Sequence, residues 1–178
     1  DGRRQSLLFF TKDTTATMTL SDGSRKQIEN LDVRVTEFTQ GDDGDGAMPG
    51  TLPDTTGYTY AAEYSIDEAL RANATRVDFS KPVLNYLENF TGAPVGGVVP
   101  TGYYDRDEGE WKAGNNGKVL KIVNEVDGLA GLDVTGDGQV DTGEALTKLG
   151  ITDDERRALA ARYNPGAELW RVPLDHFT

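Results

Sequence analysis

The chain has 178 residues, room for one large domain or two small ones, and its recurring Tyr, Phe, Val, Leu and Ile exclude a disordered composition. A net charge of −12 argues against nucleic acid or an anionic membrane surface as partner and favours solubility, divalent cations or an extracellular or salty setting. With no cysteine, neither disulfides nor thiolate chemistry is available, and no stretch reaches transmembrane length.

The opening Asp1-Gly2-Arg3-Arg4 lacks the apolar run of a secretory leader. Strand-like sequence follows at once and the chain stops at Phe177-Thr178, which predicts a segment of a longer protein. Residues 6–10 (SLLFF) read as a buried strand, 15–20 (TATMTL) as an alternating one closed by a turn at Ser21-Asp22-Gly23-Ser24, and 31–39 (LDVRVTEFT) as a third with Leu31, Val33, Val35 and Phe38 near one face. Short alternating runs separated by Gly/Asp turns predict an antiparallel sandwich.

Residues 41–53 (GDDGDGAMPGTLP) form a loop. Asp42, Asp43 and Asp45 invite a cation, but calcium-loop spacing would put Gly41 first and Leu52 twelfth, so the segment reads as a solvated loop. An aromatic strand is expected over 57–66, then a short helix over 65–74, with Ser65 and Glu68 as its capping box. Residues 75–87 return to strand alternation, and Pro82 predicts an edge or a bulge. Residues 95–113 read as strand, turn, strand. Asp105 and Asp107 lie in that turn, where a polar hairpin accounts for them better than a cation. Asn73-Ala74-Thr75 and Asn89-Phe90-Thr91 match the glycosylation acceptor pattern, which is short enough to recur by chance.

Residues 117–126 (GKVLKIVNEV) are expected to be the last strand before residues 133–144, which read DVTGDGQVDTGE. That run has the spacing of an EF-hand calcium loop. Asp133, Thr135 and Asp137 take positions 1, 3 and 5, and Gly138 takes position 6. Gln139 offers its backbone carbonyl at position 7, Asp141 stands at 9, Val140 is the apolar anchor at 8, and Glu144 closes the loop at 12. Calcium is a hard cation that takes six to eight oxygens. Alternate residues of a tight loop turn their oxygens inward, the glycine permits the sharp bend, and a bidentate Glu supplies two oxygens at once. Thr135 replaces the commoner Asp or Asn with an uncharged hydroxyl, which lowers the expected affinity. The β-branched entry and Asp127-Gly128 argue against a long incoming helix, so the loop is EF-like rather than a regular EF-hand. On the exit side, 142–149 predict a short helix stopped by Gly150. Thr152 and Glu155 form the capping box of a second helix, with Leu159 and Tyr163 on its inner face and Asn164-Pro165-Gly166 at its end. Residues 169–177 predict a final strand.

The 133–144 loop resembles the dockerin type of EF-hand loop. His176-Phe177-Thr178 resembles the triplet near the end of self-cleaving β-sandwiches of the ZU5 and GAIN type. Residues 57–111 are similar to the second half of a ZU5-like sandwich. The resemblance implies His176 as base and Thr178 as nucleophile on the bond before it, through an N-to-O acyl shift. The alternative for that triplet is a terminal strand with Phe177 in the core and His176 at the surface. The second half of the chain, from GYYDRDEGEWKAGNNGKVLKIV to LGITDDERRALAARYNPGAELWRVPLDHFT, also resembles a module of large secreted bacterial proteins of the RHS/YD-repeat type. It implies a calcium-binding, extracellular, non-enzymatic module.

The expected fold is thus mainly β, an antiparallel sandwich over residues 1–126, a calcium loop with two short helices over 127–168, and a last strand over 169–178 that rejoins the sheet as one integrated domain. The expected ligand is Ca2+. The expected partners are neighbouring domains of a larger chain and another surface protein or glycan. A glycosidase-type carboxylate pair is not marked out among 30 acidic residues.

Overall fold

A computed structural model of the chain describes residues 5–39, 45–52 and 59–177. The fold is mainly β with antiparallel sheets. In chain order the strands are β1 (Ser6–Phe9), β2 (Ala16–Leu20), β3 (Arg25–Ile28), β4 (Val33–Glu37), β5 (Ala62–Ile66), β6 (Ala74–Glu88), β7 (Val98–Val99), β8 (Gly102–Asp105), β9 (Glu110–Ala113), β10 (Gly117–Val126), β11 (Leu129–Asp133) and β12 (Glu168–Phe177). Three short helices are interspersed among the described residues: α1 (Asp67–Arg71), α2 (Glu144–Lys148) and α3 (Asp153–Ala160). The chain packs as two compact units, one of residues 1–12, 83–101 and 115–174, the other of residues 13–82, 102–114 and 175–178.

In the first unit the strand order is β11-β10-β12-β6, with β1 on β6 and β7 on β10. β10 pairs antiparallel with β12 through Lys118↔Arg171 to Lys121↔Glu168. It pairs with β11 through a two-residue turn in which Asp127 and Gly128 both have positive φ, 52° and 76°, flanked by Val126↔Leu129. That is the type I′ geometry whose twist matches the flanking strands. The sequence reading missed it: β10 is not the last strand before the loop, because the Asp-Gly turn folds the chain back into β11. The core of this unit joins Leu84, Tyr86, Leu120, Ile122, Leu132, Val134, Leu146, Leu159 and Leu169. Leu159 is fully buried and Tyr163 packs against the same cluster, as the inner-face spacing of α3 predicts.

In the second unit β2 pairs antiparallel with β3 and with the first half of β6. β4 pairs with β5, and β8 with β9. Its buried residues include Met18, Ile28, Ile66, Val77 and Phe177. Phe177 stacks on Tyr64 at 5.3 Å and meets Phe79 edge-on at 4.8 Å.

Several expectations need correction. Ser65 does not cap α1: it lies inside β5 opposite Arg34, so the helix starts two residues later after Ile66, with no side-chain cap. Val35 is 40% exposed, so the β4 alternation does not bury a full face. Pro82 does not interrupt β6; it falls in the gap between the stretch paired with β2 and the stretch paired with β1, a local edge on that side where its missing N–H costs no ladder bond to either.

Candidate functional site

β11 delivers Asp133 to the head of the 133–144 loop, so a strand and not a helix enters it. Asp133 is 1% exposed. Its Oδ1 accepts from the backbone N–H of Gly136 (2.6 Å) and Thr135 (3.1 Å), and its Oδ2 from that of Gly138 (2.8 Å). Burial pushes this carboxyl up, but the loop amides of Gly136, Gly138, Thr135 and Asp137 outweigh it and hold its pKa below the ordinary 3.8. Those bonds exist only because the backbone turns sharply at Gly136 and Gly138, both left-handed at φ 87° and 82°. Asp137 Oδ1 accepts from Gln139 N–H at 2.8 Å, the next turn of the same kind.

Asp141 folds back across the loop. Its Oδ2 accepts from the N–H of Val134 (2.7 Å) and Thr135 (3.0 Å), the Thr135 hydroxyl donates to it (3.1 Å), and its own N–H donates to Leu132 O (2.8 Å). Asp133, Thr135 and Asp141 are therefore brought together, since Thr135 N–H serves both carboxylates. Glu144 stands apart as the first residue of α2, its side chain 82% exposed and paired with Lys148 Nζ at 2.8 Å. Gln139 is exposed. Among the described residues no group of three or more His, Asp or Glu side chains is gathered closely enough to hold a metal. The donor chemistry suits calcium all the same: three aspartates, a hydroxyl, a backbone carbonyl and a glutamate are all hard oxygens. A cation held by the full set would require Glu144 to leave Lys148.

The loop is anchored on both flanks. Val134 and Leu146 are buried in the core of the first unit, so strand and exit helix are both seated. Thr152 Oγ1 accepts from Glu155 N–H at 3.2 Å and caps α3, which is half of the expected capping box. The other half does not form, because the Glu155 carboxylate points inward. It is 1% exposed and receives Arg171 Nε at 2.6 Å, Arg171 Nη2 at 3.2 Å and the Tyr86 hydroxyl. Burial, and then the neighbouring Glu155 charge, push the Tyr86 phenol well above its usual 10.0. The sequence reading missed this network. The available signal was spacing: Glu155 lies four residues before Leu159, on the same inward face of α3.

The other candidates resolve as follows. Asp105 Oδ1 accepts from the N–H of Asp107 and Glu108, and its Oδ2 meets Lys112 Nζ at 2.8 Å. Asp42 and Asp43 lie outside the described residues, as does the side chain of Asp45. His176 meets Tyr103 edge-on at 4.7 Å, and burial lowers its pKa below 6.5. Thr178, the nucleophile that the terminal triplet implies, lies outside the described residues. Asn89 is not a free acceptor. Its Nδ2 donates to Ala93 O (2.7 Å) and Glu168 Oε2 (3.2 Å), and its Oδ1 accepts from Trp170 Nε1 (2.9 Å). Asn73 is exposed at φ 52°.

No helix among the described residues is long and apolar enough to cross a membrane. No protein-family model matches the chain, and no curated protein and no solved structure matches it significantly.

Proposed function

We propose that this chain is a calcium-binding structural and interaction module of a larger secreted or surface protein, an antiparallel sandwich in which the ion stabilises the fold. One observation carries the reading: a twelve-residue run with the full EF-type oxygen pattern begins at a buried Asp133 whose carboxylate is already wrapped by the loop's own amides. Asp133, Asp137 and Asp141 supply carboxylates, Thr135 a hydroxyl, Gln139 its backbone carbonyl, and Glu144 the closing bidentate group. Calcium bound there neutralises charge in a chain of net −12 and favours the folded state by mass action. Extracellular modules of this kind bind at about 10⁻⁴–10⁻³ M, so an ion near millimolar is resident and structural rather than a signal. A sensor would use paired loops and a Met-rich groove, and this chain has one such loop and 2 Met.

The test is calcium titration by calorimetry with thermal melting in calcium and in EDTA. One site and a clear rise in melting temperature support the reading. Glu144→Gln is expected to weaken binding strongly while leaving the EDTA melt close to wild type. Absence of binding, or full affinity in Glu144→Gln, overturns it.

A further inference from the structure

The loop does not stand alone in its unit: the 94–97 turn lies directly against it. That turn is tied to β10 by Gly96 N–H to Val119 O and Val119 N–H to Gly97 O, both 2.9 Å, and closed by Gly97 N–H to Pro94 O at 2.9 Å. Its contact with the loop is made backbone to backbone through two glycines facing opposite ways. A Cβ on Gly96 would fall 2.3 Å from Thr135 O and 2.6 Å from its carbonyl carbon. A Cβ on Gly136 would fall 2.3 Å from Val95 O and 3.1 Å from its carbonyl carbon. Neither obstacle is the flexible end of a side chain, so neither can move without moving the chain path. Thr135 and Gly136 are loop positions 3 and 4. Their path sets where the Thr135 hydroxyl lies and where the Thr135 and Gly136 amides meet Asp133.

Resting on the calcium reading above, we propose that the 94–97 turn is a working part of the calcium site: a glycine-on-peptide clasp that holds positions 3 and 4 in the ion-binding path and so sets calcium affinity. Gly96 is a positioning residue, for it supplies no ligand atom. The physical reason is preorganisation. A loop held in its bound path spends less ordering free energy on the ion than a free one, and a group that orients metal ligands is typically worth about 10–100-fold in affinity. Contact also works in reverse, so an ion that rigidifies positions 3 and 4 rigidifies the 94–97 turn and its bonds to Val119.

Gly96→Ala is compared with Gly92→Ala. Both glycines are left-handed, at φ 80° and 67°, but a Cβ on Gly92 meets nothing within 4 Å, so this control carries the backbone strain without the clash. Calorimetry is expected to show calcium binding weakened roughly tenfold or more in Gly96→Ala and near wild type in Gly92→Ala. In unsubstituted protein, calcium is expected to slow hydrogen exchange at the Gly96 and Val119 amides as well as at Gly136 and Gly138, a readout that stands even where Gly96→Ala does not fold. Equal affinities in the two variants, or calcium protection confined to Gly136 and Gly138, overturn the clasp and leave the calcium site intact. Absence of calcium binding by the unsubstituted protein removes both.

Discussion

Among the described residues, only the unit around β10 and the loop holds an ion pair with both side chains buried. In the unit around β10 and the loop, Glu155 and Arg171 pair at 2.6 Å with side chains only 1% and 6% exposed, and the Tyr86 hydroxyl fills a further valence. In the unit around β2, β4 and β8, two ion pairs just as short each have an arginine largely in solvent. Arg34–Asp67 and Arg106–Glu63 are both 2.6 Å, with the arginines 68% and 52% exposed. Distance therefore does not rank these contacts; solvation does. An exposed pair is screened and exchanges easily with water. A buried pair resists loss of either member, because the survivor is left charged and dry. The same contrast governs the loop. Asp133 is buried under backbone amides and belongs to the folding of its unit, whereas Glu144 stays in solvent, free to change partner.

The sharpest way to break this comparison is Glu155→Ala. It strands Arg171 and is expected to cost about 3–5 kcal/mol in urea denaturation, while Arg34→Ala leaves the midpoint nearly unmoved. Replacing Glu155 and Arg171 together with apolar residues of similar volume, with Tyr86→Phe so that no buried hydroxyl is left unpaired, is expected to recover most of that loss, since the pair's own net contribution is small. Next in size is the ion. If the proposed site binds calcium, stability at a concentration about a hundred times the dissociation constant is expected to rise by about 2.7 kcal/mol. Amide exchange is expected to place the added protection in β10, β11 and α2, with the β4–β5 and β8–β9 hairpins unchanged. Uniform protection would mean that the ion does not act through the loop. Thr152→Ala removes the side-chain cap of α3 and is expected to cost about 1 kcal/mol by thermal melting.

The smallest effect is in pH. His176 is the single histidine, and burial lowers its folded pKa below 6.5. As pH falls through 6.5 the unfolded chain takes up the proton before the folded one, so stability is lost on acidification, down to the folded pKa. His176→Gln is expected to flatten the change in urea midpoint between about pH 7.5 and 5.5. Asp133 has the opposite chemistry but the same direction: with its pKa below 3.8, its contribution is present above that value and is lost as pH falls further. On acidification the His176 loss begins near 6.5 and the Asp133 loss near 3.8, so the two are told apart by where each begins.

Local pattern carried much of the fold. The Ser21–Ser24 turn, the Asp105–Gly109 turn, the two short helices after the loop and the final strand all rest on residue type and spacing within a few positions, and each lies close to where the sequence places it. The turns within 133–144 were legible for the same reason, because they rest on Gly136 and Gly138, whose φ values other residues resist. What failed at this level failed by competition. Ser65 was a good cap by type, yet the ladder with β4 took it first; Asp127-Gly128 argued only against an incoming helix and acted as a hairpin turn.

By itself, then, the sequence determined the β-rich class, the turns, the α3 cap and the set of oxygens available to a cation, since all of these are settled by near neighbours along the chain. Only the tertiary structure decided that Glu155 turns away from its own helix start toward Arg171 and Tyr86, that Gly96 meets Thr135 backbone to backbone, and that Asn89 is bound by Glu168 and Trp170. Those partners lie far apart in sequence, and no local propensity encodes them. They follow from which faces are buried together, where desolvation makes an unpaired polar group too costly to leave.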